Sequence, residues 1–189
     1  MKKVSAVILA AGSGKRIGIP KLKLKYKDGY FINIIINKLL SSGVEDIVSV
    51  IRKDDEDWFD NNAVHNSYAI NKNPELGMFS SVKIGINHFP KAEGVIIFPV
   101  DHPFVNSDTI SGMLDSFKNN SSFIIKPYCN GKSGHPLILP SGIFHTVLES
   151  GISSNLNSIV TGSGLEILRY ETEDEGIFKN VNYPEDLSE

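Results

Sequence analysis

The sequence contains a single cysteine, Cys129, among its 189 residues. One thiol excludes an intrachain disulfide and any zinc site built from several cysteines. Long apolar runs are also missing, since the most apolar stretch, residues 31–40, is interrupted by Asn33, Asn37 and Lys38. A bilayer-spanning helix needs roughly 20 apolar residues. These absences favour a cytoplasmic globular protein without a membrane partner.

An excess of positive charge is missing as well. The chain has 19 Lys and Arg against 22 Asp and Glu, a formal net charge of −3. Because these residues are spread evenly, no basic face for nucleic acid is expected. The opening Met-Lys-Lys is not followed by the uninterrupted apolar region of a secretion signal. With 189 residues and 41% hydrophobic content, the chain is sized for one domain.

The segment from residue 7 to residue 21 is the most informative part of the chain. It reads Val-Ile-Leu-Ala-Ala-Gly-Ser-Gly before Lys15 and Arg16, and it ends at Lys21. Small residues let main-chain N–H groups bind an anion directly at the end of a strand, and the three cations favour a polyphosphate. A Walker A loop is excluded because no Ser or Thr follows Lys15, and the glycine spacing excludes the dinucleotide fingerprint. An ordinary strand-to-helix turn with surface cations is the alternative.

Apolar runs that alternate with helical patterns predict an α/β fold. Strands are predicted over residues 5–10, 46–51, 68–71, 95–98, 122–127, 136–139, 165–171 and 178–181. Helices are predicted over residues 31–42, 54–59, 80–89, 107–119, 144–149 and 155–160. The alternation over the first 125 residues implies right-handed crossovers and a mostly parallel sheet, while the last third is less regular.

A carboxylate, Asp101, follows the predicted strand 95–98 closely. Ligands of open α/β sheets bind outside the carboxyl ends of the strands. If this strand lies beside the first, Asp101 faces a triphosphate and suits Mg²⁺, which takes one or two carboxylates together with phosphate oxygens. The alternative is that Asp101 caps a turn before Pro103. We interpret His102 as structural, because no second His or Cys has zinc-like spacing.

Three further segments have both a binding and a structural interpretation. Residues 73–81 form a turn that leads into a helix, whose free N–H groups suit an anion or a nucleotide, although ordinary N-capping by Ser80 and Ser81 is an alternative. Residues 132–136 form a glycine-containing turn with a cation and an imidazole, or a plain hairpin tip. Asn182 lies where a predicted strand gives way to a helix, which is also an ordinary N-cap position.

Taken together, these segments resemble the nucleotidyltransferases of the molybdenum cofactor, and in particular the cytidylyltransferase branch. The matching pieces, in the family's order, are Leu9-Ala10-Ala11-Gly12 with Arg16, Gly18 and Pro20-Lys21; Asn73-Pro74 with Gly77-Met78 and Ser80-Ser81; Pro99-Val100-Asp101; Gly134-His135-Pro136; and Val181-Asn182 with Pro184-Glu185-Asp186-Leu187. Asn180 and Asn182 stand where the cytidylyl branch usually has Asp, which leaves the branch open. Ala11 favours the cytidylyl branch, because the guanylyl branch has glycine at this position.

The resemblance implies a single-domain, Rossmann-like three-layer sandwich with a mostly parallel mixed sheet over residues 1–189. About residues 1–105 would form a nucleotide-binding half and about residues 106–189 an acceptor-binding half. Catalytic roles are implied for Arg16, Lys21 and Asp101, and Mg²⁺ binding for Asp101 and Asn182. Nucleotide contacts are implied for Leu9, Ala10, Ala11, Gly12, Ser13, Gly14, Lys15, Asn73, Gly77, Ser80 and Ser81. Acceptor contacts are implied for Gly134, His135 and Pro136.

The reaction that the resemblance implies moves CMP from CTP onto a phosphorylated acceptor, a molybdopterin-type cofactor, and releases pyrophosphate. Such a transfer needs in-line approach and charge stabilisation but no covalent nucleophile, so the lack of a Ser-His-Asp arrangement is expected. Two alternatives stay open. One is a GTP-dependent or sugar-phosphate nucleotidyltransferase of the same fold. The other is a non-catalytic chaperone that hands the cofactor to an apo-hydroxylase partner.

Overall fold

The computed structural model describes residues 3–14, 17–65, 67–151 and 154–181. The strands are β1 (Val4–Leu9), β2 (Lys25–Tyr26), β3 (Gly29–Tyr30), β4 (Ile47–Arg52), β5 (Tyr68–Asn71), β6 (Gly94–Pro99), β7 (Ile124–Cys129), β8 (Lys132–Ser133), β9 (Leu137–Pro140) and β10 (Ile167–Glu171). The helices are α1 (Phe31–Ser41), α2 (Glu56–Asn62), α3 (Met78–His88), α4 (Ser107–Asn119), α5 (Phe144–Glu149) and α6 (Leu156–Gly162). Within these ranges, none of the helices combines the length and apolar character needed to cross a bilayer.

One mixed sheet organises the molecule, with strand order β10-β7-β9-β6-β1-β4-β5 and β8 paired to β7. The pairs of β1 with β4 and with β6, of β4 with β5 and of β7 with β10 are parallel. Only β9 runs against its neighbours on this path, β6 and β7. The sheet is therefore mostly parallel, as the sequence predicts.

The two faces of the sheet carry separate apolar layers because neighbouring side chains of a strand point to opposite sides. In β1, Ala6 and Ile8 belong to one layer, whereas Val7 and Leu9 belong to the other. The first layer also contains the buried faces of α1 and α4, and the second contains those of α3, α5 and α6. The chain is thus a three-layer sandwich, which confirms the fold class predicted above.

The observed elements follow the predicted ones within about two residues in most places. The prediction of a strand over residues 178–181 is wrong, because a 3₁₀ turn at Glu175–Ile177 is followed there by irregular chain. Its backbone groups bond to loops instead of a strand: the Ile177 carbonyl accepts from the His135 N–H, and the Val181 N–H donates to the Asp101 carbonyl. Val181 is buried and Phe178 is half-buried, although neither belongs to a strand.

Candidate functional site

A cavity of about 300 Å³ opens at the carboxyl ends of β1 and β6. The parallel register pairs Leu9, the last residue of β1, with Pro99, the last residue of β6. The loops that follow these two strands therefore leave the sheet side by side. The cavity is lined by Leu9, Ala11, Gly12, Ser13, Lys21, Pro74, Gly77, Met78, Ser81, Pro99, Val100 and Asp101. Most of the predicted nucleotide-binding residues thus surround one space.

The central contact of this cavity joins Lys21 and Asp101, which are 80 residues apart in the chain. The Lys21 ammonium donates to Asp101 Oδ2 over 2.7 Å. Both side chains are mostly covered, with 18% and 23% of their surface exposed. A partly shielded ion pair of this kind responds strongly to any further charge placed beside it.

The Asp101 carboxylate is an oxygen ligand of the kind that a divalent cation prefers. It already binds one cationic group, because the Lys21 ammonium contacts its Oδ2 atom. In the described part of the chain, no cluster of three or more His, Cys, Asp or Glu side chains could enclose a metal ion. Mg²⁺ does not need such a cage, because it is usually held by one or two carboxylates and substrate phosphates. Asp101 is therefore the described residue that could hold it.

The loop after β1 uses its two glycines differently. Gly14 has φ +61°, and a Cβ there would lie 1.8 Å from the Ile19 carbonyl oxygen. Its own carbonyl accepts from the N–H groups of Ile17 and Gly18, which closes the loop. A Cβ on Gly12 would meet nothing within 4 Å. Gly14 is thus required by the fold, whereas Gly12 keeps the cavity open.

The turn between β5 and α3 is organised by Asn71, which the sequence analysis did not single out. The buried Asn71 amide donates to Ser80 Oγ over 2.8 Å and to Ser81 Oγ over 2.9 Å, and its oxygen accepts from the Asn73 N–H. Helix α3 begins at Met78 without a side-chain cap. The alternative that Ser80 and Ser81 cap this helix is therefore wrong. A polar residue at the end of a predicted strand was the available signal for Asn71.

His135 lies beside the central cavity, in a loop fixed by two backbone hydrogen bonds. The Gly134 N–H donates to the Pro127 carbonyl, and the His135 N–H donates to the Ile177 carbonyl. A Cβ on Gly134 would lie 2.5 Å from that same Ile177 oxygen. Residues 132–133 form the second arm of a hairpin with β7, so the histidine follows the hairpin instead of forming its tip.

Two histidine rings, His102 and His135, pack together next to Asp101. Their centroids are 4.8 Å apart, and His102 Nε2 lies 3.8 Å from Asp101 Oδ1. The Nδ1 atoms of both rings are buried without a hydrogen-bond partner in the described structure. Burial lowers the pKa of His102 to about 4, against the opposing effect of the Asp101 charge. Burial likewise lowers the pKa of His135, so both rings are neutral near pH 7.

The loop that carries Asp101 and His102 is anchored by a half-buried cation, Lys38. Lys38 Nζ on α1 donates to the carbonyl oxygens of Pro103 and Val105, each over 2.7 Å. Burial lowers the pKa of this lysine, while the Asp174 carboxylate acts in the opposite direction. The lysine thus satisfies two main-chain acceptors just after Asp101.

A second anchor comes from Asp174, which is 8% exposed. Its Oδ2 accepts from the Asn106 N–H and from Thr109 Oγ1, each over 2.8 Å. Further along, the Val181 N–H donates to the Asp101 carbonyl over 2.9 Å. Asn182 itself lies outside the described residues, but its neighbour Val181 is bonded to the backbone of Asp101.

The remaining predicted residues fall into two groups. Lys15, Arg16 and Asn182 lie outside the described residues. Ala10 is buried in the core, with its N–H bonded to the Val50 carbonyl. The predicted residues that do not line the central cavity, although the structure describes them, are Ala10, Gly14, Asn73, Ser80, Gly134, His135 and Pro136.

Comparison with known sequences gives a consistent family. The model of the MobA-like NTP transferase domain matches residues 6–168. A probable molybdenum cofactor guanylyltransferase of Natranaerobius thermophilus is 27% identical over 200 residues, which cover 98% of this chain and 94% of that protein. The bifunctional protein GlmU of Clostridium kluyveri is 31% identical over 113 residues, or 58% of this chain. The chain spans about a quarter of the length of that relative, since the match covers 25% of it.

Comparison with solved structures supports the same fold. Rv0371c from Mycobacterium tuberculosis superposes with a TM-score of 0.85 and 17% identity, over 98% of this chain and 95% of that one. A complex of Rv0371c with manganese superposes with a TM-score of 0.81 and 16% identity, over 98% of this chain and 96% of that one. Because the sequence-family match extends over most of the chain and includes most of β1, all of β6 and the loops after them, the protein belongs to the MobA-like NTP transferase family.

Proposed function

We propose that the protein transfers CMP from CTP to the phosphate of an acceptor, a molybdopterin-type cofactor, and releases pyrophosphate. The observation that carries this proposal is the 2.7 Å contact between Lys21 Nζ and Asp101 Oδ2 beside the small-residue loop after β1. A cation and a carboxylate at this place are what a nucleoside triphosphate and its metal require from a protein. Membership of an NTP transferase family supports the same reaction class.

In the proposed reaction, an oxygen of the acceptor phosphate attacks the α-phosphorus of the nucleotide. The bond from this phosphorus to the β-phosphate bridging oxygen breaks, and pyrophosphate leaves with the electron pair. The attacking oxygen is already ionised near neutral pH, so no general base is needed. Lys21 and the N–H groups of the loop around Gly12 stabilise charge on the phosphate oxygens. Arg16 is proposed to add a further positive charge.

When bound, Mg²⁺ supplies positive charge to the phosphate groups and helps to orient them. Asp101 would hold it, and Asn182 is proposed as a second oxygen ligand. The nucleotide is proposed to occupy the half of the chain up to about residue 105. The acceptor is proposed to lie in the half from about residue 106, with its phosphate between Asp101 and His135.

Ala11 supports a pyrimidine nucleotide. It lines both the central cavity and an adjoining cavity of about 320 Å³ at the ends of β4 and β5, which also contains Arg52 and Asn71. We propose that a methyl group at this position, in place of a glycine, leaves less room for a base and so favours a smaller one. GTP is the second candidate nucleotide, because the relative from Natranaerobius thermophilus that matches 98% of this chain bears the name of a guanylyltransferase.

The test is pyrophosphate release from each of the four NTPs with Mg²⁺, in the presence and absence of purified molybdopterin cofactor. We expect turnover with CTP that depends on the cofactor, and a loss of about 100-fold or more in Lys21→Ala, because a charge contact to the transferring phosphate is removed. Lys91→Ala, at an exposed position, is the matched control.

Three outcomes would change the proposal. Turnover with GTP alone would select the guanylyl reaction, and turnover with a sugar phosphate but not with the cofactor would replace the acceptor. If the yield of matured hydroxylase were the same with Lys21→Ala as with the unmodified protein, a non-catalytic chaperone would be the better description.

A further inference from the structure

A buried carboxylate near the candidate site, Asp55, contacts two cations. Asp55 ends the 3₁₀ turn Lys53–Asp55, which joins β4 to α2, and it is 0% exposed. Its Oδ2 accepts from Arg52 Nε over 2.8 Å, and Arg52 Nη2 lies 2.8 Å from the same oxygen. Lys23 Nζ lies 2.7 Å from Oδ1, as an ion pair without the angles of a hydrogen bond. A carboxylate without access to water needs such partners, because an unpaired buried charge is very unfavourable.

The two cations on Asp55 connect it to both cavities. Arg52 is the last residue of β4 and lines the adjoining cavity of about 320 Å³. Lys23 is the last residue of the 3₁₀ turn Lys21–Lys23, whose first residue lines the central cavity. Asp55 itself is not among the described residues that line either space. This carboxylate therefore contacts the wall of one cavity and the short turn that presents Lys21 to the other.

The turn Lys21–Lys23 is held from two sides because of the order of the strands. Strand β1 lies between β6 and β4 and is parallel to both, so the loops after these two strands flank the chain that follows β1. On the β6 side, Asp101 accepts from Lys21 over 2.7 Å. On the β4 side, Asp55 lies 2.7 Å from Lys23. Leu22, between the two lysines, is fully buried, so each of the three residues of the turn is fixed.

The hydrogen bonds of the turn alone are too few to fix the position of Lys21. The Lys23 N–H donates to the Pro20 carbonyl, and the Leu24 N–H donates to the Lys21 carbonyl. Isolated helical turns of this length are unstable in water. The lysine side chain is also long and flexible, so the place of its ammonium group depends on how firmly its backbone is held. The ion pair of Lys23 with Asp55 supplies a fixed point two residues from Lys21.

Aromatic packing gives the Lys23 side chain a defined place on α2. Its Nζ lies 5.6 Å from the centre of the Trp58 ring, which is within the range of cation–π attraction. Tyr30 of β3 packs edge-on against the same ring, with centroids 4.8 Å apart. Only 25% of the Lys23 side chain is exposed. The contact between Lys23 and Asp55 is therefore shielded from water on most sides.

We propose that Asp55 is a positioning residue for Lys21. Through Lys23 it fixes the turn from which Lys21 reaches the transferring phosphate, and through Arg52 it joins this turn to the end of β4. This inference rests on the proposed nucleotidyl transfer and adds a residue that touches neither nucleotide nor acceptor. A displacement of about 1 Å at a reacting group can cost about 100-fold in rate. Loss of one of the two ion pairs that hold the turn is expected to cost about tenfold in kcat.

The main test is Lys23→Met, which removes the ammonium group but keeps an apolar stem against Trp58. Pyrophosphate release gives kcat and KM, and trace acetylation gives the reactivity of Lys21 relative to the exposed Lys91 of the same protein. We expect kcat to fall about tenfold, KM for the nucleotide to change less than about threefold, and the relative acetylation of Lys21 to rise about threefold, because its ammonium group is held less firmly. Lys23→Arg keeps the charge and should restore most of the lost kcat.

Asp55→Asn tests the carboxylate itself. This variant leaves two cations beside a neutral amide, so its melting temperature should fall as well. In the double variant with Lys23→Met, kcat should be no lower than in Asp55→Asn alone, because both changes break the same contact. Lys23→Met leaves Asp55 bonded to Arg52, so it provides the test even if Asp55→Asn does not fold.

Phe117→Leu is the matched control for a loss of stability without a change at the site. Phe117 is fully buried, and a Cβ on Gly94, the first residue of β6, would lie 2.4 Å from its ring. It is therefore at the opposite end of β6 from Asp101. All variants are compared at a temperature at which circular dichroism shows them folded. Under these conditions, Phe117→Leu should match the unmodified protein in kcat and in the acetylation of Lys21.

The inference is overturned if Lys23→Met lowers the melting temperature but leaves kcat and the acetylation of Lys21 unchanged, because the ion pair would then serve stability alone. An equal fall of kcat in Phe117→Leu, or losses that multiply in the double variant, would overturn it as well. If the unmodified protein releases no pyrophosphate with any NTP and acceptor, the proposed function fails. Acetylation of Lys21 then decides the inference by itself: a rise in Lys23→Met supports the positioning contact, and an unchanged rate refutes it.

Discussion

Replacement of His102 by phenylalanine is expected to make the fold more resistant to acid. His102 is 6% exposed, and its Nδ1 has no hydrogen-bond partner in the described structure. Burial lowers its pKa from 6.5 to about 4; the Asp101 carboxylate raises it, while His135 and Lys21 lower it further. Phenylalanine has a similar shape and cannot become charged, so it fills the same place without a titrating group.

The sign of the effect follows from the lowered pKa. The unfolded chain binds a proton at His102 near pH 6.5, whereas the folded chain resists protonation until the pH approaches about 4. Stability from the neutral ring is therefore complete above about pH 6.5 and is lost as the pH falls toward 4. One pKa unit corresponds to about 1.4 kcal/mol, so the loss over the whole window approaches about 3 kcal/mol. His135 acts in the same direction, because burial lowers its pKa too.

The assay is urea unfolding followed by circular dichroism at several values between about pH 7.5 and pH 4.5. The quantity compared is the difference in the free energy of unfolding between His102→Phe and the unmodified protein, and we expect it to shift toward the variant by about 2–3 kcal/mol as the pH falls. His88→Gln, at an exposed ring, is the control. A difference that stays constant across this range would refute the reasoning, because it would mean that the folded protein accepts a proton on this ring as readily as the unfolded chain does.

Three further predictions concern the site. Gly12→Ala is expected to leave the melting temperature unchanged but to weaken CTP binding about tenfold, because the added methyl group enters the open cavity. Gly14→Ala is expected to lower the melting temperature, because the added Cβ would lie 1.8 Å from a carbonyl oxygen. Thermal unfolding and CTP titration distinguish them, and equal behaviour would contradict the two roles. Lys38→Met leaves two loop carbonyls unpaired, so we expect kcat to fall about tenfold while KM for CTP stays nearly unchanged. Lys38→Arg should restore part of the lost kcat. A rise in KM as large as the fall in kcat would argue that Lys38 does not position the loop. Ala11→Gly should lower the ratio of kcat/KM for CTP to kcat/KM for GTP by about tenfold. An unchanged ratio would show that Ala11 does not determine which base is selected.

The layered fold was predictable because its central strands and their helices have strong local patterns. Strand β1 is a run of buried residues bounded by a glycine loop, and α1 repeats apolar residues at helical spacing. The small hairpin of β2 and β3 lacks such a pattern. Its strands are two residues long, and Tyr26 packs edge-on against Phe104 at 5.0 Å. This stabilising contact joins residues far apart in the sequence, so no local window contains it.

The strand prediction for residues 178–181 failed because it also depends on contacts between residues far apart in the sequence. The apolar residues Phe178 and Val181 predict burial, and burial does occur for Val181. A strand also needs a neighbour for its backbone groups, and here those groups bond to the loops that carry Asp101 and His135. Periodicity indicates which side chains are buried, but it does not indicate which groups form hydrogen bonds with the main chain.

The candidate site was predictable in part. Lys21 and Asp101 could be singled out separately, because each occupies a loop after a predicted strand, but their direct contact depends on the pairing of β1 with β6. The packing of His102 on His135 could not be foreseen, since the two residues are 33 positions apart in the chain with two further strands, β7 and β8, between them. Asn71 combines both cases: its place at the end of β5 was visible, while its bonds to two serines were not.

The hydrogen bonds of segment 177–181 also determine when the site can form. Asp101 and His135 are held by the Val181 N–H and the Ile177 carbonyl, which follow β10 in the chain. During synthesis these residues leave the ribosome after every strand in the described part of the sheet. Domains fold from their N-terminal side as they emerge, and contacts between distant residues form late. We therefore expect a nascent chain to complete the described sheet first and to acquire a finished candidate site only after residues 177–181 have emerged.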